Sequence, residues 1–143
     1  IMRKISLPSF VFILCVFFLF SNCDQKAAQS TSYDSFKLNE DFDLKMNQKA
    51  KLNDGDMLIH FADVTEDSRC PEGVNCIQAG KVVVKLMANE TILMLTKKGK
   101  QKGGAEGNSG NYTIEMMEVN PYPKDGVKID KDDYSIKLKV TKI

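Results

Sequence analysis

Two cysteines six positions apart, Cys70 and Cys76, constrain the fold of this chain more than any other sequence feature. Pro71 fixes its own φ and starts a turn, and Gly73 permits a positive φ, so the chain between the cysteines can double back. The two Cα atoms can then approach within the roughly 4.4–6.8 Å that a disulfide requires. The pair lies between the two most strand-like segments of the sequence, so a disulfide here would pin the connection between two strands.

Three interpretations of this cysteine pair remain open from the residues alone. A structural disulfide is expected if the chain is exported to an oxidising compartment. A redox-active pair is disfavoured because the C-x-x-C spacing of oxidoreductases is absent. A metal site, with copper or zinc bound by Cys70, Cys76 and the single histidine His60, would need carboxylates to complete the ligands that zinc usually takes.

The N-terminal residues are typical of an export signal. Arg3 and Lys4 form a basic start, and residues 10–20 are an unbroken apolar run of eleven. That is about half of the ~20 residues needed to span a bilayer as a helix, and it suits the hydrophobic region of a signal peptide.

The next residues, Leu19-Phe20-Ser21-Asn22-Cys23, resemble the end of a bacterial lipoprotein signal. In such signals the cysteine is lipidated and becomes the first residue after cleavage. Phe20 would hold the first motif position and Ser21 the second, and Asn22 stands where Gly or Ala is preferred. The resemblance implies a protein of the bacterial cell envelope, on the inner or outer membrane, that is anchored through acyl chains on Cys23.

The cysteine count agrees with that location. Cys15 would be removed with the signal and Cys23 would carry the lipid, which leaves Cys70 and Cys76 as an even pair. We therefore divide the chain into a signal peptide (residues 1–22), a lipidated cysteine with a flexible polar tether (23–35) and one domain (36–143).

The charge balance argues against a nucleic-acid partner. From residue 23 onward the chain has 18 basic and 19 acidic side chains, a formal charge of −1. A nucleic-acid binder would normally show a strong basic excess.

Residues 36–143 predict an all-β domain, a small antiparallel β-sandwich or barrel of about six to seven strands. Residues 134–143 show the cleanest alternation, and residues 81–88 place Val82, Val84 and Leu86 on one face. Val83 and Met87 make the other face of that strand apolar, which predicts cover on both sides. Residues 97–111 are rich in glycine and lysine and predict a solvated loop.

A second resemblance rests on the motif Asp67-Ser68-Arg69-Cys70-Pro71, followed by Cys76, Ala79 and Gly80. It resembles a small uncharacterised family of bacterial lipoproteins with a D-S-R-C-P signature and a later C-x-W-A-G, and Gln78 stands where that family has Trp. The family's closing pattern is matched by Tyr112, Ile114, Met116, Val119, Pro121 and Pro123, with residues 134–142 as a final strand. The resemblance implies a class of protein, the bacterial lipoproteins, and a location in the cell envelope. It implies no enzymatic activity.

Asp67 and Arg69 are the candidate ligand-binding pair, because they lie directly beside the turn that the cysteines close. Six methionines follow Cys23, and soft thioethers with His60 could bind Cu(I), although their scatter is typical of core filling. No sequence motif of a nucleophile and base predicts an enzyme. We therefore expect a binding or structural module at the membrane surface, with a protein or small-molecule partner and no cofactor; a metal-binding protein or an unidentified enzyme is the alternative.

Overall fold

Nine β-strands arise from the alternating segments of the sequence. The structure is a computed structural model that describes residues 33–99 and 101–143. Its strands are β1 (Asp34–Phe36), β2 (Asp41–Lys45), β3 (Lys49–Leu52), β4 (Leu58–Asp67), β5 (Lys81–Ala88), β6 (Thr91–Lys98), β7 (Ala105–Ser109), β8 (Tyr112–Asn120) and β9 (Ser135–Lys142), and a 3-10 helix spans Lys131–Asp133.

The strands form two separate sheets. Sheet 1 has the order β1-β3-β4-β5-β6, and sheet 2 has the order β2-β9-β8-β7. Neighbouring strands are antiparallel except β1, which runs parallel to β3. Within the described residues no closed barrel forms, so of the two predicted architectures the sandwich is the one observed.

The core lies between the sheets and is filled by one face of each long strand. In β5 every second residue is buried, from Val82 to Ala88, and in β9 the same holds for Ile136, Leu138 and Val140. Alternate side chains of a strand point to opposite faces, so this period places the apolar set inward. At the margin of the core the Phe36 ring of sheet 1 stacks on the Phe42 ring of sheet 2, with centroids 4.4 Å apart.

The nine strands exceed the predicted six to seven because two strands have weak sequence signals. β1 is three residues long, begins in the segment predicted as tether, and buries only Phe36. β7 lies inside the predicted glycine-rich loop. There a Cβ on Gly107 would lie 2.9 Å from Leu95 Cδ2, so close packing against sheet 1 takes the place of an apolar side chain.

The register of β4 shifts twice, between Phe61 and Asp63 and between Val64 and Glu66. The sequence predicts such a bulge because Val64 falls out of the alternation of the preceding residues, and this is confirmed. Val64 thereby returns to the core. Among the described residues, no helix is long and apolar enough to cross a membrane.

Candidate functional site

An ion pair between Asp67 and Arg69 lies at the end of β4, where the chain leaves sheet 1. Arg69 Nε donates to Asp67 Oδ1 at 2.8 Å and Nη2 donates to Oδ2 at 2.6 Å, so the contact is bidentate. The Tyr134 hydroxyl donates to the same Oδ2 at 2.9 Å. Both charged side chains are buried, with 3% of Arg69 and 8% of Asp67 exposed. Two parallel hydrogen bonds fix the guanidinium plane, which a single contact would not do.

Arg69 also joins sheet 1 to the end of β8. Its Nη1 donates to the Val119 carbonyl at 2.7 Å and its Nη2 to the Pro121 carbonyl at 2.9 Å. The guanidinium carbon lies 5.0 Å from the centre of the Tyr122 ring, a cation–π contact. The buried cation is therefore held by a carboxylate, two carbonyls and an aromatic ring.

The surroundings shift the pKa values of two partners in this network. Burial alone would raise the pKa of Asp67, but the hydrogen bonds and charge of Arg69 and the hydrogen bond from Tyr134 together hold it below its ordinary value. Burial, the hydrogen bond to Asp67 and the charge of that carboxylate raise the pKa of Tyr134 to about 12. Both shifts favour the same state, an ionised Asp67 accepting from a protonated Tyr134.

The cysteine loop follows directly and contains the predicted disulfide. The sulfurs of Cys70 and Cys76 are bonded, and their Cα atoms are 5.9 Å apart. The Cys70 amide donates to the Ala79 carbonyl at 3.1 Å, which continues the pairing of β4 with β5 into the loop. The Glu72 amide donates to the Pro123 carbonyl at 2.9 Å and so ties the loop to the segment after β8.

Gly80 closes this loop in a conformation that other residues rarely adopt. Its φ is +65°, and a Cβ at this position would lie 1.7 Å from the Ser68 carbonyl oxygen. The last residue of the D-S-R-C-P…C..A-G pattern is therefore glycine for two reasons, a positive φ and contact with the opposite backbone.

A cleft of about 470 Å³ opens beside Arg69, between the ends of β5 and β6 in sheet 1 and the end of β8 in sheet 2. Lys97 reaches across its margin and donates from Nζ to the Gln101 carbonyl at 3.0 Å and to the Gly103 carbonyl. The described lining residues are Arg69, Val82, Lys97, Gly99, Gln101, Lys102, Gly103, Met117, Glu118, Val119, Asn120 and Tyr122.

Asp67 and Arg69, predicted as ligand-binding residues, thus bind first to each other. Asp67 also accepts from the Arg69 amide at 3.3 Å, a local hydrogen bond of the kind that caps a turn. Arg69 still lines the cleft, so a role in binding a ligand stays a prediction for it. Sequence reasoning missed Tyr122 and Tyr134 as partners, because they lie far from Arg69 in sequence and no local pattern marks them.

The alternative of a metal site at His60, Cys70 and Cys76 gains no support, because the two sulfurs are bonded to each other and neither is a free thiolate. His60 lies in the interior of β4, between Lys49 of β3 and Met87 of β5. Burial and the charge of Lys49 lower its pKa. In the part of the chain that is described, no three His, Cys, Asp or Glu side chains lie close enough to hold a metal ion.

The methionines are divided between the core and the surface. Met57 and Met116 are fully buried in the core, whereas Met87 and Met94 are exposed on the outer face of sheet 1. Core filling explains the buried pair.

The predicted lipidation site Cys23 lies outside the described residues, as does most of the predicted tether.

No family model matches the chain, and no significant match was found among the curated proteins or the solved structures.

Proposed function

We propose that this chain is a lipid-anchored protein of a bacterial cell envelope whose β-sandwich is a binding module for a small molecule or a protein. The export signal and the motif ending at Cys23 support the anchor. The Cys70–Cys76 disulfide supports an oxidising compartment, where such bonds form and persist.

The cleft beside Arg69 is the observation that carries the binding function. Its volume of about 470 Å³ lies in the range of small-molecule sites. One wall is preorganised, because Arg69 is held by Asp67 and by backbone carbonyls of β8 and its following turn. A wall that is already ordered loses little conformational entropy when a ligand binds.

The charges of the cleft favour an anionic ligand. Among the described lining residues are three cations, Arg69, Lys97 and Lys102, and one carboxylate, Glu118. Asp67 neutralises Arg69, and Glu118 faces Lys137 at 3.7 Å, so the two remaining lysines leave the cleft positive. Tyr122 adds an aromatic surface, which suits a ligand that has a flat or apolar part beside its negative charge.

An NMR titration of residues 24–143 with inorganic phosphate and with a short acidic peptide tests this cleft. We expect saturable shifts at the Arg69 Nε–H and at the amides of Asn120 and Tyr122. The variant Lys102→Gln should weaken them, and Lys45→Gln, on the outer face of sheet 2, should not. Shifts that never saturate, or that spread evenly over lysines on all faces, would contradict the proposal.

The anchor is tested separately by the mass of the chain extracted from membranes. Processing at Cys23 predicts an N-terminal peptide that begins with this residue and carries acyl chains. Cys23→Ala should abolish the acylated N-terminal peptide, whereas Cys15→Ala, inside the signal, should leave the mature product unchanged. An unmodified Cys23 or cleavage at another residue would refute the anchor while leaving the cleft proposal intact.

A further inference from the structure

The outer face of sheet 1 is strongly basic. It has five lysines and two carboxylates, which lie on the strand positions that alternate with the core residues. The lysines are Lys49, Lys51, Lys81, Lys85 and Lys98, and the carboxylates are Asp63 and Glu66.

The outer face of sheet 2 has the opposite balance. Its three lysines, Lys45, Lys137 and Lys139, share the face with Asp41, Asp43, Glu106, Glu115 and Glu118. Here unlike charges sit across from one another, as Asp41 does from Lys139. The nearly neutral chain is thus basic on one face of the sandwich and acidic on the other.

The two carboxylates of sheet 1 are already paired. Asp63 Oδ1 lies 2.8 Å from Lys131 Nζ of the 3-10 helix, and Glu66 Oε2 lies 3.0 Å from Lys81 Nζ. Asp63 also stands across from Lys85 in the register. Lys49, Lys51 and Lys85 form no ion pair with any described residue. Lys49 and Lys51 are exposed, and Lys85 is half-buried.

Exposed apolar side chains lie among these lysines. Met87 is 38% exposed, and on the edge strand β6 Ile92 is 57% and Met94 is 51% exposed. Met87 stands opposite Ile92, and Met94 stands opposite Lys85. The expected cover over the outer face of β5 is therefore absent in the described part of the chain. We name Lys49, Lys85, Met87, Ile92 and Met94 the basic–apolar patch.

We propose that the basic–apolar patch docks on the surface of a bilayer that contains anionic lipid. Lysines beside an anionic surface are attracted to lipid phosphates, and apolar side chains on the same face can enter the boundary between headgroups and acyl chains. A soluble polyanion would attract the lysines but would gain nothing from Ile92 and Met94, and the intermixing of both groups therefore favours a membrane. The acidic outer face of sheet 2 would then point away from the lipid.

This inference does not depend on lipidation of Cys23, so the test uses an unlipidated chain of residues 24–143. The buried core residues that the structure describes lie between residues 36 and 140, so this chain keeps them all. Binding is measured by co-sedimentation with vesicles of phosphatidylcholine alone and with vesicles that contain about one third phosphatidylglycerol. We expect binding only to the anionic vesicles, and we expect it to weaken as salt is raised.

The lysine contribution is tested with Lys49→Gln/Lys85→Gln and the matched control Lys137→Gln/Lys139→Gln. A lysine near an anionic surface contributes about five-fold to binding, so the first pair should weaken it about 25-fold. The control pair removes the same charge from the acidic face and should leave binding unchanged or slightly stronger.

The apolar contribution has an independent readout, because the chain contains no tryptophan. Ile92→Trp places a single fluorophore in the patch, and Val127→Trp places one on a loop residue that is 60% exposed. Anionic vesicles should shift the emission of the first variant to the blue and leave that of the second unchanged. A melting curve of each variant confirms that it is folded.

Three results would overturn the proposal. One is equal loss of binding in the two lysine pairs, the second is an unshifted Ile92→Trp emission, and the third is binding to heparin with none to anionic vesicles. The third result would identify the face as a site for soluble polyanions.

Discussion

Arg69 stabilises the sandwich because its contacts hold three separate parts of the chain at one point. The guanidinium bonds Asp67 at the end of β4 and the carbonyls of Val119 and Pro121 at the end of β8. Through Asp67 the network reaches Tyr134, just before β9. Burying an ion pair costs desolvation, and the additional hydrogen bonds offset that cost.

The raised pKa of Tyr134 predicts a loss of stability at high pH. An unfolded tyrosine loses its proton near pH 10, whereas the folded Tyr134 keeps it to about pH 12. Its contribution to the free energy of unfolding is therefore complete below pH 10 and is lost as the pH rises through about 12. We expect Tyr134→Phe to cost about 1 kcal/mol at neutral pH and to flatten this alkaline decline.

Urea unfolding across the pH range measures this effect, with the exposed Tyr33→Phe as control. On the acid side the lowered pKa of Asp67 has the opposite sign: its contribution is present above its ordinary pKa of 3.8 and is lost as the pH falls through the folded value. An alkaline decline that is the same in Tyr134→Phe and in the parent chain would contradict the role of this hydroxyl.

Of the described glycines, Gly80 is the one at which an added methyl group should lower the stability of the fold most. In Gly80→Ala the new Cβ would collide with the Ser68 carbonyl oxygen. Ser68 is held in place because its own amide donates to the Lys81 carbonyl. We expect a loss of at least about 3 kcal/mol in the free energy of unfolding, because backbone has to move.

Gly73→Ala is the matched control for Gly80→Ala. Gly73 also has a positive φ, +86°, but a Cβ there would meet no atom within 4 Å. It should cost only the strain of the left-handed conformation, about 1–2 kcal/mol. Equal losses in the two variants, measured by chemical unfolding, would show that the collision does not occur.

At the scale of elements, the connection between β4 and β5 is fixed by both covalent and backbone contacts. The disulfide closes the loop, and two amides of the loop bond to Ala79 and Pro123. The loop is otherwise exposed, and Ile77 at its tip is fully accessible. The loop therefore has few buried apolar contacts of its own.

Removing the disulfide should lower stability without abolishing the fold. For a loop this short the chain-entropy model gives about 2 kcal/mol. We expect Cys70→Ala/Cys76→Ala to lose about that amount while the amide signals of β5 and β9 stay near their parent positions, because the sandwich core does not include the loop. A reducing agent that breaks the disulfide should cause the same loss of stability in the parent chain and should have no effect on the double variant. Collapse of the whole spectrum on reduction would show that the disulfide is essential to folding.

At the scale of the whole molecule, the first strand of the sandwich begins at Asp34, whereas the sequence predicts a domain that starts at residue 36. β1 adds a short parallel strand to the edge of sheet 1, and Phe36, 3% exposed, covers the core there. Its stacking on Phe42 connects the two sheets at that edge.

Truncation measures what this first strand contributes. The reference is a chain that starts at Tyr33, which keeps β1 and all of the described core. A chain that starts at Lys37 loses Phe36 and should be destabilised by about 3–5 kcal/mol. Equal melting temperatures for the chains that start at 33 and 37 would show that β1 does not contribute to the core.

The sequence by itself determined the class of the fold, and it placed two cysteines where a short turn allows a covalent link. The alternation of residues such as Ile136, Leu138 and Val140 depends only on the period of a strand, and the spacing of Cys70 and Cys76 depends only on the geometry of a short turn. These are local properties, so they can be read without knowing which segments meet. The location of the protein and its lipid anchor at Cys23 remain predictions from the sequence.

Only the tertiary structure decided which strands meet and what each polar residue contacts. β7 has no apolar alternation because Gly107 packs under Leu95 of the other sheet. Arg69 finds its carbonyl partners about fifty positions away in the chain. The cleft and the unequal charges of the two outer faces likewise arise from pairing between distant segments. No local pattern in one sequence specifies such contacts, because their energies depend on partners that folding alone brings together.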